Sequence, residues 1–157
     1  MKEFKGRVVT PGTVTAPALV SHGGLNTLAS FQSALQFGDK KATCGDQNNP
    51  DLYGKKMKGT ALCLPQTIGS TTGGLVLYAA ASMDRTPACL LFSKPIDSLA
   101  AAGSILISVW LDGINMPVKM IPASCPAVLW PPRPASMRSP VCWPIPRSLL
   151  LTATARK

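Results

Sequence analysis

TALCLPQTIGSTTGGLVLYAAASMDRTPACLLF, residues 60–92, decides the architecture. Residues 60–64 form a compact apolar run closed by Pro65, the pattern of a strand buried on both faces. QTIGSTTGG then supplies a turn of Gly, Ser and Thr, and the alanine-rich GLVLYAAASM has the length and composition of a helix. Asp84-Arg85-Thr86-Pro87 stops that helix, and 88–92 is a second buried strand. Strand, turn, helix and strand in this order predict a βαβ unit and a parallel sheet.

The neighbouring segments extend the pattern. Lys94-Pro95 leads into IDSLAAAG, which reads as a short helix with Asp97 or Ser98 at its start and Gly103 as its close. Residues 105–111 are a further apolar run, Asp112-Gly113 a turn, and 114–118 a last short strand. Upstream, 4–10 and 13–21 are strand candidates on either side of Pro11-Gly12, which together read as a hairpin. Leu25, Leu28, Phe31 and Leu35 fit one helical face within 25–37, although that stretch has few start signals. Residues 38–59 are polar, carry Gly45, Pro50, Gly54 and Gly59, and read as a long loop on the surface or over a site. A β-rich first half joined to a βαβ second half predicts an α/β fold of the mixed β/β/α kind.

Charge divides the chain unevenly. The formal net charge of +9 over 157 residues points to nucleic acid only until its position is considered. Residues 1–112 hold ten basic residues against all seven acidic ones, a balance of 10 − 7 = +3, and the remaining +6 lies in a stretch without acid. All 13 glycines lie at or before Gly113, whereas nine of the 15 prolines lie at or after Pro117. The expected division is therefore a domain over 1–118 and a proline-rich basic tail over 119–157 with an irregular conformation. The abrupt joint loss of Asp, Glu and Gly reads either as out-of-frame translation or as a true extension lying on a partner.

The same composition excludes several classes. The start, MKEFKGRVVTPG, has no apolar stretch behind its charges, and the charge-free run 98–111 is shorter than the roughly 20 residues that a spanning helix needs. A soluble, cytoplasmic protein that binds no membrane is expected. Cys44, Cys63, Cys89, Cys125 and Cys142 are odd in number and contain no C-x-x-C pair, which favours buried, reduced thiols and no metal site in this chain. Lys55-Lys56-Met57-Lys58 is short and lacks interleaved aromatic residues, so it reads as a solvated face and no nucleic-acid partner is expected.

The chemistry-bearing candidate is the segment from Pro65 to Gly74, where the carboxyl end of a strand meets the amino end of a helix. Unpaired N–H groups and the helix dipole favour an anion there, and Ser70 would face it. The segment lacks the Gly-Lys-Ser/Thr ending of a P-loop and is not a G-x-S-x-G elbow. Ser70, Thr71 or Thr72 acting only as a helix cap accounts for the same residues. His22, in SHGG, is the only histidine, has no aspartate or serine partner set by spacing, and reads as a turn residue.

Taken together, GRVVTPGTVTAPALVS, NPDLYGKKMKGTALCLPQTIGSTTGG, PACLLFSKPIDSLAAAGSI and DGINMPV resemble, in order and spacing over about residues 5–118, the swivel domain of aconitase X proteins in its separate small-subunit form. The resemblance implies a swivelling β/β/α domain that closes over an active site whose iron–sulfur cluster and most substrate contacts belong to a large subunit. It implies a hydro-lyase in which Ser70, the first hydroxyl residue of Gly69-Ser70-Thr71, is the catalytic base and Gly69, Thr71 and Thr72 contact substrate. Thr71 stands where the family usually has a second serine, and Gln66-Thr67-Ile68 replaces an often basic lead-in. The family dehydrates either cis-3-hydroxy-L-proline or 5-phosphomevalonate. The absence of Lys and Arg from the lead-in favours cis-3-hydroxy-L-proline, with phosphomevalonate as the alternative. A non-catalytic swivel-fold interaction module, binding an acidic partner through the tail, is the competing reading.

Overall fold

A computed structural model describes residues 6–114, 116–121 and 150–153, the last four as backbone only. The chain runs β1 (Arg7–Thr10), β2 (Gly12–Thr15), β3 (Ala18–Val20), β4 (Leu25–Asn26), α1 (Thr27–Gln36), β5 (Ala61–Leu64), β6 (Thr67–Ile68), α2 (Gly73–Ser82), β7 (Cys89–Phe92), α3 (Ser98–Trp110), β8 (Val118–Met120) and β9 (Leu150–Ala153). The main sheet has the order β1-β8-β7-β5-β3. Its β3, β5, β7 and β8 are parallel, and β1 closes one edge antiparallel to β8.

Side-chain alternation builds two cores from one sheet. Leu62, Leu64, Leu90, Phe92 and Val118 face α1, α2 and α3, joining Phe31, Leu77, Ala80 and Ile107 in the larger core. Ala61, Cys63, Cys89 and Leu91 face the other way, where Val14 of β2 and Ala16 just after it cover them. Because β2 pairs with β9 in a separate two-stranded ladder, the layers are β, β and α, as expected from the sequence. The βαβ unit over 60–92 is present as β5, α2 and β7.

Several local expectations are corrected. β1 and β2 do not form a hairpin: only Pro11 separates them, too few residues to reverse the chain, and β1 pairs with β8 while β2 pairs with β9. The helix expected to close at Gly103 continues to Trp110 and absorbs the apolar run 105–111. Gly103 serves a helix crossing, since a Cβ there would lie 3.0 Å from Leu77 Cβ and one at Gly74 would lie 3.0 Å from Gly103 N. Small residues at such a crossing let helix axes approach closely.

On α1, Phe31 is buried as expected, but Leu28 is 50 % exposed and Thr27, Ser30 and Ala34 complete the inward face. The loop over 38–59 is not a purely surface feature, because Ala42, Cys44, Leu52 and Met57 are buried in the core. The last strand of the sheet is Val118–Met120, and buried Ile121 follows it with its N–H on Phe92 O. The tail over 119–157, expected to be irregular, contributes Lys119 and Met120 of that strand and all of β9. The remainder of that segment, with Cys125 and Cys142, lies outside the described residues.

Candidate active site

The Ser70 turn is assembled where the first turns of three helices meet. β5 ends at Leu64, and two residues later Gln66 O accepts the N–H of Leu25 at 3.0 Å. This starts the short parallel ladder of β4 on β6, with Leu25 opposite Thr67 and Asn26 opposite Ile68. Asn26 also caps α1, its Oδ1 accepting the Ala29 N–H at 3.3 Å. Asp97 caps α3 in the same way, with Oδ1 accepting from Leu99 N at 3.0 Å and Ala100 N at 3.1 Å. A Cβ at Gly73, the first residue of α2, would meet Thr27 Oγ1 at 2.7 Å and the Leu99 side chain at 3.5 Å. Only glycine lets the three helix starts pack this closely.

Two contacts hold the base of the turn. Thr67, 4 % exposed, donates its N–H to Asp97 Oδ2 at 2.8 Å and its hydroxyl to Asp97 Oδ1. Burial works to raise the Asp97 carboxyl pKa, but hydrogen bonds from the Thr67 hydroxyl and N–H and from the Ala100 N–H outweigh it and hold the group below the usual carboxylate range. On the other side Gly69 has φ +109°, and a Cβ there would lie 3.1 Å from Asn26 Oδ1. A side chain at Gly69 is disfavoured both by backbone conformation and by that contact.

Beyond this base the turn is bare. Gly69, Ser70, Thr71 and Thr72 are all exposed. Ser70 Oγ lies 3.0 Å from Thr72 Oγ1 and accepts the Thr72 N–H at 3.4 Å, while Ser70 O accepts the Gly73 N–H at 2.9 Å. The four residues expected at the site are therefore brought together. The capping role is only partly realised: Thr72 occupies the N-cap of α2 without a side-chain cap bond.

His22 has a partner that sequence spacing did not supply. Asp51 Oδ2 accepts its N–H at 2.8 Å and lies 3.1 Å from Nδ1. The loop carrying Asp51 is fixed beside it by buried Asn49, whose Nδ2 donates to Ser21 Oγ at 2.9 Å and to Gly24 O at 3.2 Å. The SHGG and GDQNNPDLYG segments are separately visible in sequence, but their pairing depends on the fold.

No group of three or more His, Cys, Asp or Glu side chains among the described residues is arranged to hold a metal. Cys44, Cys63 and Cys89 are buried. Burial raises the Cys44 thiol pKa; burial and the nearby Cys89 raise that of Cys63; burial alone pushes Cys89 up to about 12. These three side chains do not fit an iron–sulfur ligand set.

The model of the aconitase X swivel domain matches residues 3–125. The phosphomevalonate dehydratase small subunit of Methanocella arvoryzae is 30% identical over 107 residues, covering 68% of this chain and 75% of that protein. The protein of the same name from Methanocaldococcus jannaschii is 29% identical over 104 residues, covering 66% and 73%. Among solved structures, the holo-form of aconitase X from Thermococcus kodakaraensis superposes with a TM-score of 0.61 at 21% identity, covering 78% of this chain and 80% of that one. The solution structure of a UPF0107 protein gives a TM-score of 0.57, also at 21% identity, covering 75% and 77%. At these identities the structural matches speak for the fold.

Proposed function

The chain belongs to the aconitase X swivel-domain family, and from that premise we propose that it is the small subunit of a two-subunit dehydratase in which Ser70 is the catalytic base. The observation that carries the reading is the contrast within one turn: its base is tied to Asp97 and Asn26, whereas Gly69, Ser70, Thr71 and Thr72 are all exposed. A second chain is needed to close such a site. Leu28 in the first turn of α1, Ile68 in β6 and Leu75 in the first turn of α2 are 50 %, 41 % and 55 % exposed, and they offer the large subunit an apolar rim.

Ser70, as alkoxide, takes the proton from the carbon next to the one bearing the leaving hydroxyl. The C–H electron pair becomes the C=C bond as the C–O bond breaks. The hydroxyl leaves as hydroxide and takes up a proton from solvent to become water, and Ser70 gives its proton back to solvent. An alkoxide is costly in water. The Thr72 N–H on Ser70 Oγ and the positive end of the α2 dipole lower that cost, and closure by the partner strengthens both by excluding solvent. Gly69, Thr71 and Thr72 line the same exposed surface and contact the bound substrate. Because Cys44, Cys63 and Cys89 do not fit an iron–sulfur ligand set, such a cluster would be held by residues of the large subunit and would supply Lewis-acid polarisation of the leaving hydroxyl; no step assigned to this chain passes through it.

The names of the relatives move the substrate preference from cis-3-hydroxy-L-proline to 5-phosphomevalonate. One feature favours the hydroxyproline reading: residues 65–74 contain no Lys, Arg or His, so the substrate phosphate takes its cations from elsewhere. Co-expression with the large subunit, followed by dehydration assays on both compounds, tests the proposal. Turnover of 5-phosphomevalonate is expected; turnover of cis-3-hydroxy-L-proline alone reverses the substrate assignment, and turnover of neither removes it.

A further inference from the structure

We propose that Asp97 is a positioning residue for Ser70: it fixes the turn that carries Ser70 by holding Thr67, a duty separate from its capping of α3. The inference rests on the reading of Ser70 as the reacting group. The two duties overlap on Oδ1, whereas Oδ2 serves Thr67 alone. Capping uses Oδ1, which accepts the Leu99 and Ala100 N–H groups. Oδ2 accepts the N–H of Thr67, thirty residues away in sequence. The Thr67 hydroxyl, also buried, completes the pair on Oδ1.

A helix cap needs one acceptor oxygen, and asparagine supplies it as well as aspartate does. Holding the Thr67 N–H as well requires a second acceptor oxygen, Oδ2, which the carboxylate has and the asparagine amide lacks. Ile68 and Gly69 alone separate Thr67 from Ser70, and Gly69 is backed by Asn26. Thr67 pinned by Asp97 and Gly69 seated on Asn26 therefore define where the Ser70 hydroxyl sits. The tie brings no group of Asp97 to the reacting atoms, so its effect is on geometry.

Asp97→Asn separates the duties. It keeps Oδ1 for α3 and sets an amide donor against the Thr67 N–H. In the complex with the large subunit we expect kcat to fall at least about tenfold with KM within about twofold, as for a displaced reacting group, while Tm stays within a few degrees. Thr67→Val, which keeps the N–H tie and loses only the hydroxyl, should lower kcat less. Near-normal kcat in Asp97→Asn overturns the inference.

Ser70→Ala, assayed beside it, keeps the two ideas apart: normal turnover there defeats the reading of Ser70, whereas loss there with normal Asp97→Asn defeats only the positioning role. Hydrogen exchange on the same complexes reads the tie without turnover. In Asp97→Asn the amides of Thr67, Thr72 and Gly73 should exchange at least about tenfold faster while those inside α3 are unchanged; equal protection of these amides also overturns the inference.

Discussion

The two irregular segments richest in polar residues are built in opposite ways. The long one, residues 38–59, buries Ala42, Leu52 and Met57 completely and pins its backbone through Asp39, Asp46 and Asn49. The short one, Gly69 to Thr72, exposes every residue and is held at its base by side chains from outside the turn. Length and polarity therefore do not separate scaffold from site. A loop that buries side chains at both ends and in the middle has its conformation set by the core. A turn clamped below and bare above presents its atoms to another molecule, and a change at its tip or at its clamp should affect chemistry with little effect on stability.

Leu52→Ala breaks the comparison most severely. It removes a fully buried side chain from the long loop, and a loss of about 2–5 kcal/mol is expected in denaturant unfolding, with kcat per folded complex unchanged. Stability close to wild type would mean that the loop is not anchored through the core. Asn49→Ala comes next. It removes the Asn49 bonds to Ser21 Oγ, to Gly24 O and from the Asp51 N–H, and about 1–3 kcal/mol should be lost by the same measurement.

The smallest effect concerns Asp39. Hydrogen bonds from the Thr43 side chain and backbone and from the Lys41 N–H hold its pKa at about 2 against an ordinary 3.8. Because the folded value is depressed, the contribution of this turn is fully present above about pH 3.8 and is lost as pH falls towards 2. The Thr43 amide resonance should therefore titrate with a midpoint near 2, and a midpoint near 3.8 would show that the turn does not hold the carboxylate.

Much of the sheet was legible because β5 and β7 are buried on both faces and so read as unbroken apolar runs, with a helix-length segment between them. The signals that misled were ambiguous for physical reasons. Gly103 looks like a helix stop, but its missing side chain serves the crossing with α2. Pro11-Gly12 looks like a hairpin turn, yet Gly12 is already the first residue of β2. The buried anchors of 38–59 have no period to betray them, since an irregular backbone turns each side chain inward at its own spacing. At the candidate site, the turn was readable from its Gly, Ser and Thr content. Asp97 was readable only as a cap, because its tie to Thr67 spans a helix and a strand of intervening chain, α2 and β7.

The proposed dehydration rests on Ser70. Ser70→Ala, purified with the large subunit and assayed on 5-phosphomevalonate and cis-3-hydroxy-L-proline, should leave complex assembly and Tm as in wild type, since Ser70 is exposed and bonds only locally, and should reduce kcat by at least about a thousandfold. A variant complex that dehydrates either substrate at a rate near that of wild type would contradict it.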